Sequence, residues 1–154
     1  KQFQSILSDR TKTSLLSGGD TELTFAIRLL GYRLWYDDRL KFEHFISPNR
    51  IRKRYFIKLI FFIGYSWMAM VPYHQVLNKH KLKRNLPDWI DILYILKKVA
   101  QSFSISLIHL IILRHLSFRK KFADTVFHFG ELYFAIKHYG YYKDLPAFLN
   151  EIQS

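Results

Sequence analysis

Two apolar runs, each fenced by cations, constrain this chain more than any other feature. From Leu59 to Tyr73 there is no charged residue, a span of 15 positions. Crossing a bilayer takes roughly 20, so the run reads as a helix short of a full span. Ser47-Pro48 opens it, with serine as N-cap and proline at the first helical position. Arg50, Arg52, Lys53, Arg54 and Lys58 precede the apolar residues, and Pro72 ends or kinks the helix. The second run, Val99–Leu113, follows Lys97-Lys98 and is diluted by Gln101, three serines and His109. Ahead of it Trp89, Ile92, Leu93 and Leu96 recur at helical spacing, and Asp88 is placed to cap them. Arg114, Arg119, Lys120 and Lys121 close this region. Residues 122–154 read as two or three short helices, punctuated by Gly130, Gly140 and Pro146.

Charge is distributed unevenly around these runs. Residues 1–45 hold seven Lys/Arg and six Asp/Glu, a net of +1; residues 46–154 hold 17 and six, a net of +11. The partner of the second part should therefore be anionic. Basic clusters flanking apolar helices suit in-plane helices with their cations at lipid headgroups. An ordinary helical packing domain is the plain alternative. Nucleic acid fits poorly, because the aromatics lie inside the apolar runs and are not interleaved with the cations. A chain that is 49% hydrophobic is no disordered tail. The absence of cysteine excludes disulfides and thiolate metal sites. His109 and His115 are six apart, a poor spacing for a shared metal on a helix.

The N-terminal third is different in kind. Residues 1–16 form a polar, irregular lead-in that does not read as a signal peptide, and a fragment of a longer protein is expected. Ser17-Gly18-Gly19-Asp20-Thr21-Glu22-Leu23 then places two carboxylates between a flexible turn and an amphipathic helix over about 20–30. Leu23, Ala26, Ile27 and Leu30 mark its buried face, and Gly31 stops it. Ser17 and Asp20 both suit the N-cap. A carboxylate so placed serves equally as a cap or as a catalytic acid or base. Tyr32–Tyr36 alternates as a short strand, Asp37-Asp38-Arg39 turns, and Leu40–Phe45 alternates again with Leu40, Phe42 and His44 on one face. His44 then points inward, and Trp35 and Tyr36 read as core.

The order of these pieces resembles the C-terminal part of bacterial family 2 glycosyltransferases, which are inverting enzymes with a GT-A fold. The residues that carry the resemblance are Leu16–Leu23, Arg28–Asp37 and Leu40–Arg50, within about residues 7–55. Weaker likeness continues at Phe129-Gly130 and from His138-Tyr139 to Asp144. The family's usual motif is Gly-Glu-Asp-x-Glu-Leu; here Gly19 replaces the glutamate and Asp20 stands at the catalytic aspartate. The resemblance implies that Asp20 is the general base, with Gly18, Gly19 and Glu22 binding the acceptor or supporting the base. It implies for His44 a contact with a metal or a diphosphate, beside the plainer reading of a core histidine.

The expected architecture is therefore an α/β C-terminal fragment of a GT-A-like domain, helix plus short strands, over residues 1–53. A mainly α-helical, basic, membrane-associating tail follows over 54–154, its surface residues being Arg50, Arg52, Lys53, Arg54 and Lys58. The implied reaction moves a sugar from a nucleotide-sugar donor to the hydroxyl of a glycan or lipid-linked acceptor in polysaccharide biosynthesis. The setting is cytoplasmic, peripheral to the inner face of the cell membrane. A divalent cation, Mg or Mn, is implied, bound mainly by a nucleotide-binding half. That half carries the family's Asp-x-Asp, which does not occur in residues 1–154, so the fragment alone is expected to be inactive. The alternative is a non-catalytic basic helical module that binds a membrane or a partner.

Overall fold

Glycine at position 31 ends the first helix, and it does so by a complete hydrogen-bonded stop. The computed structural model describes residue 7 and residues 18–77, 89–112 and 116–139. Helix α1 runs Gly19–Leu29. The Tyr32 N–H donates to the Ile27 carbonyl at 3.3 Å and the Gly31 N–H to the Arg28 carbonyl at 3.0 Å. This is the Schellman arrangement, and it needs the positive φ of 86° that Gly31 supplies.

After Gly31 the chain departs from the expected architecture. Among the described residues there is no strand; the regular structure is helical. Residues 32–47 run as an arm without regular structure, interrupted by a turn at 38–39. The Asp37 carboxylate pins that turn by accepting from the Arg39 backbone N–H at 3.0 Å and from its guanidinium at 2.9 and 2.7 Å. The α/β fragment with short strands is thus overturned. Alternation at Tyr32–Tyr36 and Leu40–Phe45 fixes which side chains share a face, but a strand also requires a neighbour to complete its ladder. No described segment offers one. Trp35 is 88% exposed, Tyr36 92% and Phe42 87%, so residues read as core lie on the surface.

Ser47 and Pro48 do begin a helical turn, but it is a separate 3₁₀ turn, Pro48–Ile51, closed by an extended Arg52. Helix α2 starts afresh at Lys53 and runs to Leu77. Pro72 lies inside it, fully buried, without ending it. Helices α3, Trp89–Ile112, and α4, Leu116–Lys137, complete the order.

Helix α4 packs against both α2 and α3. Against α3 it runs antiparallel: the Ser106 and Thr125 hydroxyls meet at 3.2 Å, while Ile95 and Val99 cluster with Leu132 and Ala135. Against α2 it runs parallel: Phe61 faces Gly130 and Tyr133, and Tyr65 faces Phe134 and His138. The α2–α4 crossing is close enough to demand glycine on both sides. A Cβ on Gly64 would collide with the Phe127 carbonyl oxygen, and one on Gly130 with that of Phe61. Tyr65, Ala69, Met70 and Tyr73 of α2 gather Phe134 of α4, Phe25 and Leu29 of α1, and Leu7 into the main core.

Candidate functional site at the start of α1

The first turn of α1 lies directly on α2. Gly18 is its N-cap, with φ 130° and ψ 4°, a conformation that side-chain-bearing residues rarely adopt. Ser17, one of the two residues suited to that cap by sequence, lies outside the described residues. A Cβ on Gly18 would also approach Leu7 Cδ1 to 3.1 Å and Met70 Cε to 3.2 Å, with Ser66 Cβ at 3.7 Å. The glycine therefore serves two ends: it allows the turn, and it lets that turn seat on α2. Beneath it Ser66 Oγ is buried with no hydrogen-bond partner among the described residues.

The two carboxylates of the motif separate completely. Glu22 is fully buried, at 0% exposure. Its Oε1 accepts the Tyr73 hydroxyl at 2.7 Å, and its Oε2 accepts the Leu7 backbone N–H at 2.9 Å. Phe25, one turn later, stacks on Tyr73 with ring centroids 6.0 Å apart and meets His74 edge-on at 4.7 Å. Glu22 is thus a polar bolt that ties the lead-in, α1 and α2 together. A buried acceptor with both oxygens engaged is not presented to an incoming ligand. Asp20 is exposed. Its Oδ1 accepts the adjacent Thr21 N–H at 2.8 Å, and its backbone carbonyl accepts the Thr24 hydroxyl at 2.8 Å. The helix start thus holds one carboxylate outward, toward solvent, and one inward.

His44 is exposed on the 32–47 arm. It does not face a core, because the sheet that would have turned it inward does not form within the described residues. Arg50, Arg52, Lys53, Arg54 and Lys58 are all exposed and cluster on the 3₁₀ turn and the first turns of α2. Among the described residues, no group of three or more His, Asp or Glu side chains gathers in a way that could hold a metal ion. The described residues therefore do not form a metal site by themselves. Lys53–His74 is long and apolar enough to cross a membrane by length and composition, and 39% of its apolar window is buried inside the bundle.

No known protein family, no curated protein and no solved structure matches the chain. What the sequence did not announce is the partner of Glu22. Tyr73 stands 51 positions away, and nothing in either local pattern links a helix-start glutamate to a tyrosine just after Pro72. A second, part-buried polar pairing lies just past the far end of α4. The Tyr65 hydroxyl meets His138 Nε2 at 2.8 Å, and the His138 ring stacks on Phe134 with centroids 4.7 Å apart. Burial pushes the Tyr65 phenol upward, with a smaller contribution from Tyr133. Burial also holds the His138 imidazole below its ordinary range, with Lys137 adding in the same direction.

Proposed function

We propose that this chain is the acceptor-side portion of an inverting glycosyltransferase of the family 2 type, acting on a nucleotide-sugar donor at the inner face of the cell membrane. The observation that carries the reading is the ordered motif from Gly18 through Glu22, Gly31-Tyr32 and Trp35-Tyr36-Asp37 to His44. The exposure of Asp20 supports it, since a general base must reach the proton it removes. In the proposed reaction Asp20 takes the proton of an acceptor hydroxyl as that oxygen attacks the anomeric carbon. The new carbon–oxygen bond forms on the face opposite the departing nucleoside diphosphate, which leaves with the electron pair of the broken bond, so the anomeric centre inverts. Glu22 acts through position: with Gly18 it clamps α1 on α2 and so sets where Asp20 projects. Binding of the nucleotide, and of any divalent cation at its diphosphate, belongs to the nucleotide-binding half that the resemblance implies.

In the complete enzyme, Asp20→Asn should lower turnover by about 10²–10⁴-fold and leave donor affinity, read by calorimetry, nearly unchanged. Near-normal turnover overturns the assignment. The second reading, a non-catalytic membrane- or partner-binding helical module, draws on the exposed cluster of Arg50, Arg52, Lys53, Arg54 and Lys58; Asp20 is not the cap the sequence suggested, since Gly18 holds that place and the Asp20 carboxylate accepts from the adjacent Thr21 N–H. Under that reading Asp20→Asn alters neither turnover nor vesicle binding.

A further inference from the structure

The directions of the helices decide which ends come together. Helix α2 is parallel to α4, and α3 is antiparallel to α4. The start of α2, the end of α3 and the start of α4 therefore share one pole of the bundle. The end of α2, the start of α3 and the end of α4 share the other, and α1 is seated on α2 toward that second pole, at Ser66 and Met70.

The first pole is basic and apolar together. Its exposed cations are Arg52, Lys53, Arg54 and Lys58 at the start of α2 and Lys120 at the start of α4, with half-buried Lys121 beside it. The described acid among them is Asp124, 3.8 Å from Lys121. At the same pole stand exposed apolar side chains from all three helices: Phe56 on α2, Leu107, Ile108 and Ile111 on α3, and Phe122 on α4. Ile111, at the tip of α3, is 78% exposed. Apolar groups ringed by cations are the recognition chemistry of an anionic lipid surface, where side chains enter the headgroup–acyl boundary and lysines and arginines meet phosphates.

We propose that the chain docks on anionic lipid by this pole, end-on, with its helices rising from the surface and not lying in it. The proposal rests on the membrane association read above and adds the orientation, the α3 tip and the α4 lysines. It has a consequence for the site. At 1.5 Å per residue, Ser66 and Met70 stand about 15–20 Å along α2 from Phe56. Gly18 and Asp20 are therefore held roughly that far above the headgroups, at the height of a lipid-linked acceptor's sugar and not of its anchor.

The chain contains no cysteine, so single labels can be placed cleanly. Leu93 and Ile111 are five helical turns apart on one face of α3, about 27 Å end to end. An environment-sensitive fluorophore is attached at Leu93→Cys or Ile111→Cys in the full chain. Vesicles of phosphatidylglycerol and phosphatidylcholine are added, with phosphatidylcholine alone as the comparison. The expected result is a blue shift at position 111 and none at 93, only with phosphatidylglycerol. Lys120→Glu with Lys121→Glu should weaken vesicle binding by about thirtyfold or more. Lys97→Glu with Lys137→Glu, the same charge change at the opposite pole, should weaken it severalfold less. Shifts at both labels mean that α3 lies flat and overturn the orientation; so does a shift at 93 alone, at neither label while binding persists, or equal loss in the two charge variants. Absence of vesicle binding at every salt concentration overturns the underlying membrane reading itself. Salt-sensitive binding to an RNA oligomer in place of vesicles overturns lipid as the occupant.

Discussion

Gly130→Ala tests the α2–α4 crossing on which the whole arrangement depends. The new methyl carbon would meet the Phe61 carbonyl oxygen, with Tyr65 N at 2.9 Å and the Phe61 carbonyl carbon at 3.0 Å. All three are backbone atoms inside α2, so no side-chain rotation relieves the contact and the two helices must part. Overpacking of this kind costs about 1–3 kcal/mol. Alanine returns about 1 kcal/mol of helix propensity relative to glycine. The net expectation is a loss of about 0–2 kcal/mol, or up to roughly 8 °C in melting temperature for a domain of this size. Gly64→Ala meets the Phe127 carbonyl group at the same crossing, with its carbon at 2.9 Å. One separation of the helices accommodates both methyl groups, so the double variant should lose less than the sum of the singles, by about 0.5 kcal/mol or more. Ala100→Gly, at an exposed position on α3, supplies the propensity term alone and should lose about 1 kcal/mol. Thermal and urea melts followed by circular dichroism read all four. A Gly130→Ala chain that melts above the parent would show propensity unopposed and refute the close crossing.

Two further outcomes follow from the buried polar pairs. Glu22→Ala removes the carboxylate to which the Tyr73 hydroxyl and the Leu7 N–H donate and should cost about 2–4 kcal/mol, whereas Glu22→Gln, whose carbonyl can accept from Leu7 while its amide donates to Tyr73, should cost about 1 kcal/mol; urea unfolding reads both. His138 is held below its ordinary value in the folded chain, so the unfolded chain binds its proton first on acidification; the associated stability is present above about pH 6.5 and is lost as pH falls through the folded value. In His138→Phe, melting temperatures between pH 7 and 5 should fall less steeply than in the parent.

Helices α1, α2 and α3 were legible in sequence because their signals are local; α4 was not, since Gly130 reads as a break between short helices, yet α4 runs unbroken from Leu116 to Lys137 with that glycine seated on α2. Gly31 stops α1 by a backbone geometry that glycine alone supplies readily, and apolar runs marked the cores of α2 and α3, but the face read as buried in α1 was the wrong one: Leu23 and Leu30 are exposed, and Glu22, Phe25 and Leu29 are buried. The arm was not legible as it stands, because alternation at Tyr32–Tyr36 and Leu40–Phe45 encodes a face and not a neighbour. Pro72 illustrates a related limit. It removes one hydrogen bond from α2, but the segment around it is locked by Tyr73 on Glu22 and by Phe25 against Tyr73 and His74. Tertiary contacts there outweigh the local break, and α2 continues to Leu77.

The opposite placement of Asp20 and Glu22 follows from helix geometry. Positions i and i+2 on a helix lie about 200° apart, so burying one turns the other outward. Glu22 could have been solvated and Asp20 buried; what selects the observed choice is the side of α1 that carries Phe25 and Leu29. These residues fall at three and seven positions after Glu22 and share its face. Once Phe25 and Leu29 enter the core with Tyr73, Glu22 must enter beside them, and it needs the hydroxyl and the N–H it receives. Asp20 is then left outward on the first turn, while Glu22 is held inside by the two hydrogen bonds it accepts.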